Sequence, residues 1–363
     1  MATKPKAPPV RLVRAIDRVR AVLAALQQRA VPANIAVLEL AQGAWLAQAL
    51  YAAVKLRIPD ALATGPLSAG QVAQRVNTDP DSTYRLMRAL ASHSVLRLHR
   101  DGRFALTRIG HALRAEQPGT MAAMVELIGS PEHREHWSNL THSVRTGETA
   151  VRHLRGMAPF EYFEANAELG EIFNEAMTSS SAMVIETVLP AYDFTDRRLI
   201  VDVGGGHGAL LAAVLAQAPD SHGILFDLPS VIATAGPLLD AAGVRSRATL
   251  TGGSFFDSVP ADGDTYLLKT IIHDWGDEQA VEILRTVRTA IAADGTMLLL
   301  EMVLPDGAPP HPGLVLDLEM LVSAGGRERT AEEYSKLLSQ AGFQMTRVIP
   351  TASPVSIVEA VPA

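Results

Sequence analysis

Residues 199–208, Leu-Ile-Val-Asp-Val-Gly-Gly-Gly-His-Gly, constrain the fold of this chain more than any other segment. An apolar run closes on an acid, Asp202, and then on a glycine cluster. An Ala/Leu-rich stretch follows as far as Pro219. The pattern predicts a buried strand, a tight turn and a helix whose N-terminus faces a ligand. Gly204 and Gly206 carry no Cβ, so the backbone there can turn sharply and approach that ligand closely. The motif alone indicates only a nucleotide-like molecule, because Gly204-x-Gly206-x-x-Ala209 also satisfies the dinucleotide pattern.

Composition narrows the class. With 363 residues, 48% hydrophobic and 20% charged, the chain has the length for two domains and the make-up of an ordinary globular protein. It contains no cysteine, which excludes disulfides, thiolate metal sites and cysteine nucleophiles and is compatible with a cytoplasmic enzyme. Residues 1–6 lead into Pro8-Pro9 rather than an apolar core, so no secretory leader is expected. The most apolar long stretch, residues 36–54, is interrupted by Glu39, Gln42 and Gln48, which predicts a buried helix and no membrane span. The net charge of −7 hides an asymmetry: residues 1–110 hold 16 Lys/Arg against 6 Asp/Glu, or +10, leaving −17 for the remainder. A basic N-terminal third suits nucleic acid, an acidic partner, or docking onto the acidic remainder.

The periodicities divide the chain into three. Residues 1–115 predict a helical and winged-helix domain: helices over 11–29 and 36–56, then a short helix capped by Ser68, a second opened by Asp81, and a hairpin turning at Asp101-Gly102. Residues 116–190 predict a helical linker. Residues 191–363 alternate short β runs with helices, with strands expected at 199–203, 223–227, 248–251, 265–271 and 296–302. The two last β runs, 343–349 and 355–361, are joined by Thr351-Ala352-Ser353-Pro354, which predicts an antiparallel hairpin rather than another crossover. Residues 306–312 read as a Pro/Gly-rich surface loop.

Asp227 closes the second strand about 20 residues after the glycines, where an acid can accept hydrogen bonds from a ribose. Dinucleotides and S-adenosylmethionine share that ribose. The strand count separates them: a dehydrogenase needs a second mononucleotide half, and after the fifth strand this chain supplies a helix and a hairpin. The ordered set of residues 199–208, Phe226-Asp227-Leu228-Pro229, Gly253-Ser254-Phe255-Phe256, Lys269-x-x-x-His273-Asp274-Trp275, Glu301 and Gly325-Gly326-Arg327-Glu328-Arg329-Thr330 resembles the S-adenosylmethionine-dependent O-methyltransferases. The relatives meant are the plant caffeic acid and flavonoid enzymes and the bacterial enzymes that tailor polyketides and other phenols. The resemblance covers most of the chain from about Glu39. It implies a Rossmann-like catalytic domain with a C-terminal hairpin, preceded by a winged-helix dimerisation domain, and hence a homodimer with no nucleic-acid or membrane partner. It also implies S-adenosyl-L-methionine as cofactor, held by Asp202, Gly204, Gly206, Asp227, Leu228, Ser254, Phe255 and Lys269. Plant relatives have Gly-Asp-Met-Phe where this chain has residues 253–256; Ser254 keeps a polar group and Phe255 an apolar wall.

Methyl transfer from a sulfonium to a phenol needs alignment and removal of one proton, but no acid for the leaving thioether. His273, expected at the end of the fourth strand, is the candidate base. An ordinary histidine, near 6.5, is weak against a phenol near 10. The resemblance implies that Glu301 and Glu328 flank this ring and hold it, and that Met177 and Met320 sandwich an aromatic acceptor. Asp274 either supports the site and its acceptor or starts the next helix. Glu132-His133-x-Glu135-His136 departs from the zinc His-Glu-x-x-His spacing and reads as an exposed helix start, so no metal is expected. Two other readings stay open. One is a ligand-sensing DNA-binding regulator using Arg85, Arg88, Arg100 and Arg103; against it, Tyr84, Leu86, Met87 and Leu90 leave its recognition helix little polar face. The other keeps the fold but performs hydroxylation or decarboxylation.

Overall fold

The computed structural model describes residues 9–117, 119–307 and 309–363. The expectation of no leader falls on residues 1–8 and lies outside them, as does Ala308 of the 306–312 loop. The described chain groups into two units. One comprises Val22–Asn139 and Met157–Ser180; the other comprises the described residues up to Ala21, Leu140–Gly156 and Ser181–Ala363.

In the first unit, Ser68 and Gln71 form a reciprocal capping box on helix Ala69–Val76, as Ser68 led one to expect. The next helix, Pro80–Ser92, is capped by Asp79, whose carboxylate accepts from the Ser82 amide at 2.8 Å; Asp81 lies inside the first turn instead. Strands β1 (Leu96–Leu98) and β2 (Phe104–Leu106) form the hairpin, with Gly102 in the left-handed region at φ 82°. Ile58, Val72, Met87, Leu90 and Phe104 fill the small core beneath it. The helix expected to be buried is not. Of Ala33–Lys55 only Ala53 and Val54 are buried, and Trp45 is 71% exposed. Only the last turns of this helix reach the core, so its earlier turns keep their apolar side chains uncovered. By length and composition it could cross a membrane. Helix Val10–Arg29 buries none of its residues.

The second unit is built on a mixed sheet. Strands β3 (Leu199–Val203), β4 (His222–Asp227), β5 (Ala248–Gly252), β6 (Thr265–Lys269) and β7 (Thr296–Leu304) run parallel. A two-residue strand, β8 (Arg329–Thr330), pairs with the end of β7. The terminal hairpin is β9 (Phe343–Pro350) and β10 (Val355–Pro362), with β10 antiparallel to β7. The order is β5-β4-β3-β6-β7-β10-β9. Neighbouring residues of each strand alternate between two apolar clusters: Ile200, Leu267 and Leu298 enter one, and Val201, Leu268 and Leu299 the other. Both faces are therefore covered, which is why these strands read as continuous apolar runs. The chain steps from β3 to β4 on one side and returns to β6 on the other. That reversal opens a crevice at the carboxyl ends of β3 and β6.

Two boundaries differ from expectation. β6 stops at Lys269, because Thr270 turns into the left-handed region at φ 52°, costly for a β-branched residue. β7 runs on to Leu304, held by its pairing with β8.

Candidate active site

At the end of β3 the glycine loop folds back on the end of β4. The Gly204 amide donates to the Phe226 carbonyl at 2.8 Å, and the Gly206 amide donates to Asp227 Oδ2 at 2.8 Å. Gly204 and Gly206 both have positive φ, 65° and 59°. A Cβ on Gly204 would lie 2.5 Å from Ile271 Cδ1, whereas one on Gly206 would meet nothing within 4 Å. Gly204 is thus demanded by conformation and packing, while Gly206 borders open space.

Asp227 closes β4 with Oδ1 accepting its neighbour Leu228's amide at 2.7 Å. Burial raises its pKa, and the Gly206 and Leu228 amides oppose that rise. Both of its oxygens retain a lone pair. Leu228 is 44% exposed. Ser254 Oγ accepts the Phe256 amide at 3.3 Å, and Phe255 stands edge-on to Trp275, close to Gly204. Asp202 is completely buried, and burial pushes it up to about 7 against the opposing Lys269 and Leu211 amide. Lys269 Nζ donates to Thr270 Oγ1 at 3.4 Å, and burial lowers its pKa against the pull of Asp202, Glu301 and Asp274.

His273 lies not on β6 but in the short 3-10 turn Ile272–Asp274 beyond it. Its Nδ1 is 2.7 Å from Glu328 Oε1. A carboxylate can only accept, so Nδ1 carries a proton, and Nε2 presents the lone pair whenever the ring is neutral. Glu301 acts elsewhere. Its Oε1 accepts the amides of Ile271 at 3.2 Å and Ile272 at 2.9 Å, while Oε2 stays 3.9 Å from Nδ1. The expectation that both glutamates hold the ring therefore divides: Glu328 holds the ring and Glu301 the main chain leading to it. Asp274 does not start the next helix, Asp277–Ala290, whose cap is Gly276. It is half-buried, with Oδ1 3.5 Å from Nε2. Burial disfavours a charged imidazole, yet Asp274, Glu301 and Glu328 outweigh it and push His273 up to about 10. Burial, with Glu328 and Asp274, pushes Glu301 up to about 7 against the opposing His273.

Two residues of this arrangement, Arg329 and Gly326, stand in the 325–330 motif, which by itself assigns them no role. Arg329, 1% exposed, donates through Nη1 to the Ile272 carbonyl at 3.0 Å and through Nη2 to the Trp275 carbonyl at 2.8 Å. It also pairs with Asp277 at 2.7 Å. It thereby grips the turn on both sides of His273. Gly326 lies so close to that turn that a Cβ on it would fall 2.0 Å from the His273 carbonyl oxygen, which accepts the Arg327 amide at 2.8 Å. A tight turn between glycines and a helix cap was the only signal, and it does not say what the turn approaches.

Met320 is buried at the start of the π-helix Met320–Ala324, and Met177 is half-buried on Ala167–Val188 in the other unit. Residues 132–136 fall on helix Pro131–Ser138, capped by Ser130. The expected exposure of this segment fails at His136, which is buried edge-on to Tyr162, while His133 Nδ1 is 3.0 Å from the Ile128 carbonyl.

Comparisons with known proteins agree over nearly the whole chain. A model of the O-methyltransferase domain matches residues 137–344, and one of the O-methyltransferase dimerisation domain matches residues 38–116. Phenazine O-methyltransferase PhzM of Lysobacter antibioticus is 40% identical over 333 residues, covering 92% of this chain and 97% of that protein. The crystal structure of LaPhzM superposes with a TM-score of 0.87 at 40% identity, covering 92% of this chain and 100% of that one. CalO1, a methyltransferase in calicheamicin biosynthesis solved in its SAH-bound form, gives a TM-score of 0.82 at 34% identity, covering 91% and 98%.

Proposed function

The chain belongs to the S-adenosylmethionine-dependent O-methyltransferases, and from that premise we propose that it methylates a hydroxyl of a small aromatic acceptor with His273 as general base. The observation that carries this reading is the 2.7 Å contact between His273 Nδ1 and Glu328, which leaves Nε2 as the basic atom in the crevice at the sheet's carboxyl edge. The acceptor class is supported by the company the chain keeps: its relative PhzM is named for phenazine, an aromatic ring system.

The residues at the ends of β3 to β5 fit the cofactor. Gly206 borders open space, Asp227 retains acceptor lone pairs for a ribose, and Phe255 supplies an apolar wall near Gly204. Leu228 and Ser254 complete that rim. Asp202, fully buried, and Lys269, half-buried at the end of β6, lie behind that rim and complete the proposed cofactor set. When bound, S-adenosylmethionine supplies an electrophilic methyl group on a sulfonium sulfur.

His273 Nε2 takes the hydroxyl proton from the acceptor as its oxygen becomes nucleophilic. Glu328 stabilises the resulting imidazolium through Nδ1, and Glu301 and Arg329 keep the turn from moving. The carboxylates solve a matching problem. An ordinary histidine falls about 3.5 units short of a phenol, whereas His273, held at about 10, approaches it. Asp274, Met177 and Met320 are the proposed acceptor contacts. The dimerisation-domain match favours a homodimer over a DNA-bound regulator for the N-terminal unit.

The test is His273→Ala. Transfer should fall about 10²–10⁴-fold, while calorimetry with S-adenosylhomocysteine shows nearly unchanged affinity. A more acidic phenol should partly rescue the variant, since its proton is already gone. Wild-type rates in His273→Ala on the true acceptor would refute the base assignment.

A further inference from the structure

We propose that His142, Glu148 and His153 form a binding site for a divalent metal ion of the zinc class, separate from the catalytic crevice. His142 lies on helix Leu140–Thr146, His153 on helix Ala150–Arg155, and Glu148 in the turn between them. One donor atom from each lies within 4.8 Å of the others. His142 Nε2 is 3.0 Å from Glu148 Oε2, and the two imidazoles stack with centroids 3.7 Å apart. Metal–nitrogen bonds of about 2.0–2.1 Å at a tetrahedral angle set two ligand nitrogens about 3.4 Å apart, so the spacing suits one ion once the two rings turn out of their parallel stack. An exposed His–Glu pair alone would be an ordinary surface contact. A second imidazole nitrogen within the same 4.8 Å makes it a three-ligand set of the kind zinc accepts, with a fourth position left for water.

The turn that carries the set is well formed. Gly147 takes φ 75°, Thr146 Oγ1 accepts the Glu148 amide at 3.1 Å, and Thr149 caps the second helix by accepting the Arg152 amide at 3.1 Å. Both helices pack on the π-helix Met320–Ala324. Thr149 Cγ2 would lie 3.2 Å from a Cβ on Gly325, just ahead of Glu328 in the chain. An ion at this site therefore staples a hairpin that backs the segment bearing the histidine's partner.

Tag-free full-length protein is to be titrated with Co²⁺ alone, followed by visible absorption, and with Zn²⁺ alone by calorimetry. A single equivalent with tetrahedral-type d–d bands is expected. The His142→Gln/His153→Gln variant should bind about 10–100-fold more weakly or worse, with metal-free methyl transfer retained. Since His273, Glu301 and Glu328 also cluster closely, His273→Ala is titrated in parallel and should keep the equivalent. No saturable binding by the unaltered protein, undiminished affinity in the double variant, or loss of the equivalent in His273→Ala would each overturn the assignment.

Discussion

At the scale of single residues, protonation is the property most open to measurement. Neutral imidazole is the active form of the base, so kcat/KM should rise with pH as His273 loses its proton. Because three carboxylates hold that proton, the limb should lie near pH 10 rather than near 6.5. Glu328→Gln keeps an acceptor for Nδ1–H but removes one of those charges. Its limb should move to lower pH and its plateau should drop; an unmoved limb would separate Glu328 from the base. The same groups bear on stability. His273 and Glu301, at about 10 and about 7, both bind protons more tightly folded than unfolded. Their contributions are fully present at low pH and are lost as pH rises, first through about 7 and then through about 10. Melting temperatures taken from pH 6 to pH 10 should record that decline. Asp227 answers to a different measurement. Asp227→Ala removes a charged acceptor and should weaken S-adenosylhomocysteine by about 1.5–3 kcal/mol; unchanged calorimetric affinity in the folded variant would sink the ribose assignment.

At the scale of elements, the catalytic turn is a short piece of backbone held by long-range contacts. Thr270 ends β6 in a conformation costly for a β-branched residue, and Glu301 collects the two amides that follow. Arg329 and the approach of Gly326 close it from the other side. Gly326→Ala places a methyl group against backbone rather than against a flexible side chain. It should destabilise by about 1–3 kcal/mol and lower kcat with much less effect on cofactor affinity, since the glycine loop after β3 is untouched. Equal melting temperature and equal kcat in this variant would mean that the turn tolerates displacement. The hairpin β9–β10 serves the sheet rather than the turn. It covers the open side of β7, an edge that would otherwise invite pairing with another chain.

At the scale of the whole molecule, the N-terminal helices leave a large apolar area uncovered. Leu12, Ile16, Val19, Leu23 and Leu26 recur at coiled-coil spacing on Val10–Arg29, all exposed, and Leu38, Leu40 and Trp45 are exposed on Ala33–Lys55. A second copy of the chain is the proposed cover. Light scattering of the unaltered protein at micromolar concentration should report a dimer, and Leu38→Glu/Trp45→Glu should shift it toward monomer; a stable monomer without substitution would refute it.

The sequence by itself determined the succession of strands and helices, the glycine turn after β3, the acid ending β4 and the antiparallel hairpin, because each is written in local periodicity and in residues with restricted backbones. It also singled out His273, Glu301 and Glu328, which the fold brings together. Tertiary structure alone decided what those residues hold. The bonds from Glu328 to His273 and from Arg329 to Ile272 cross 55 and 57 residues, and no local pattern encodes which oxygen meets which donor over such a span. Helix Ala33–Lys55 shows the same limit from the other direction. Its apolar composition was legible, but whether a core or another molecule covers it depends on how much surface one small unit can reach.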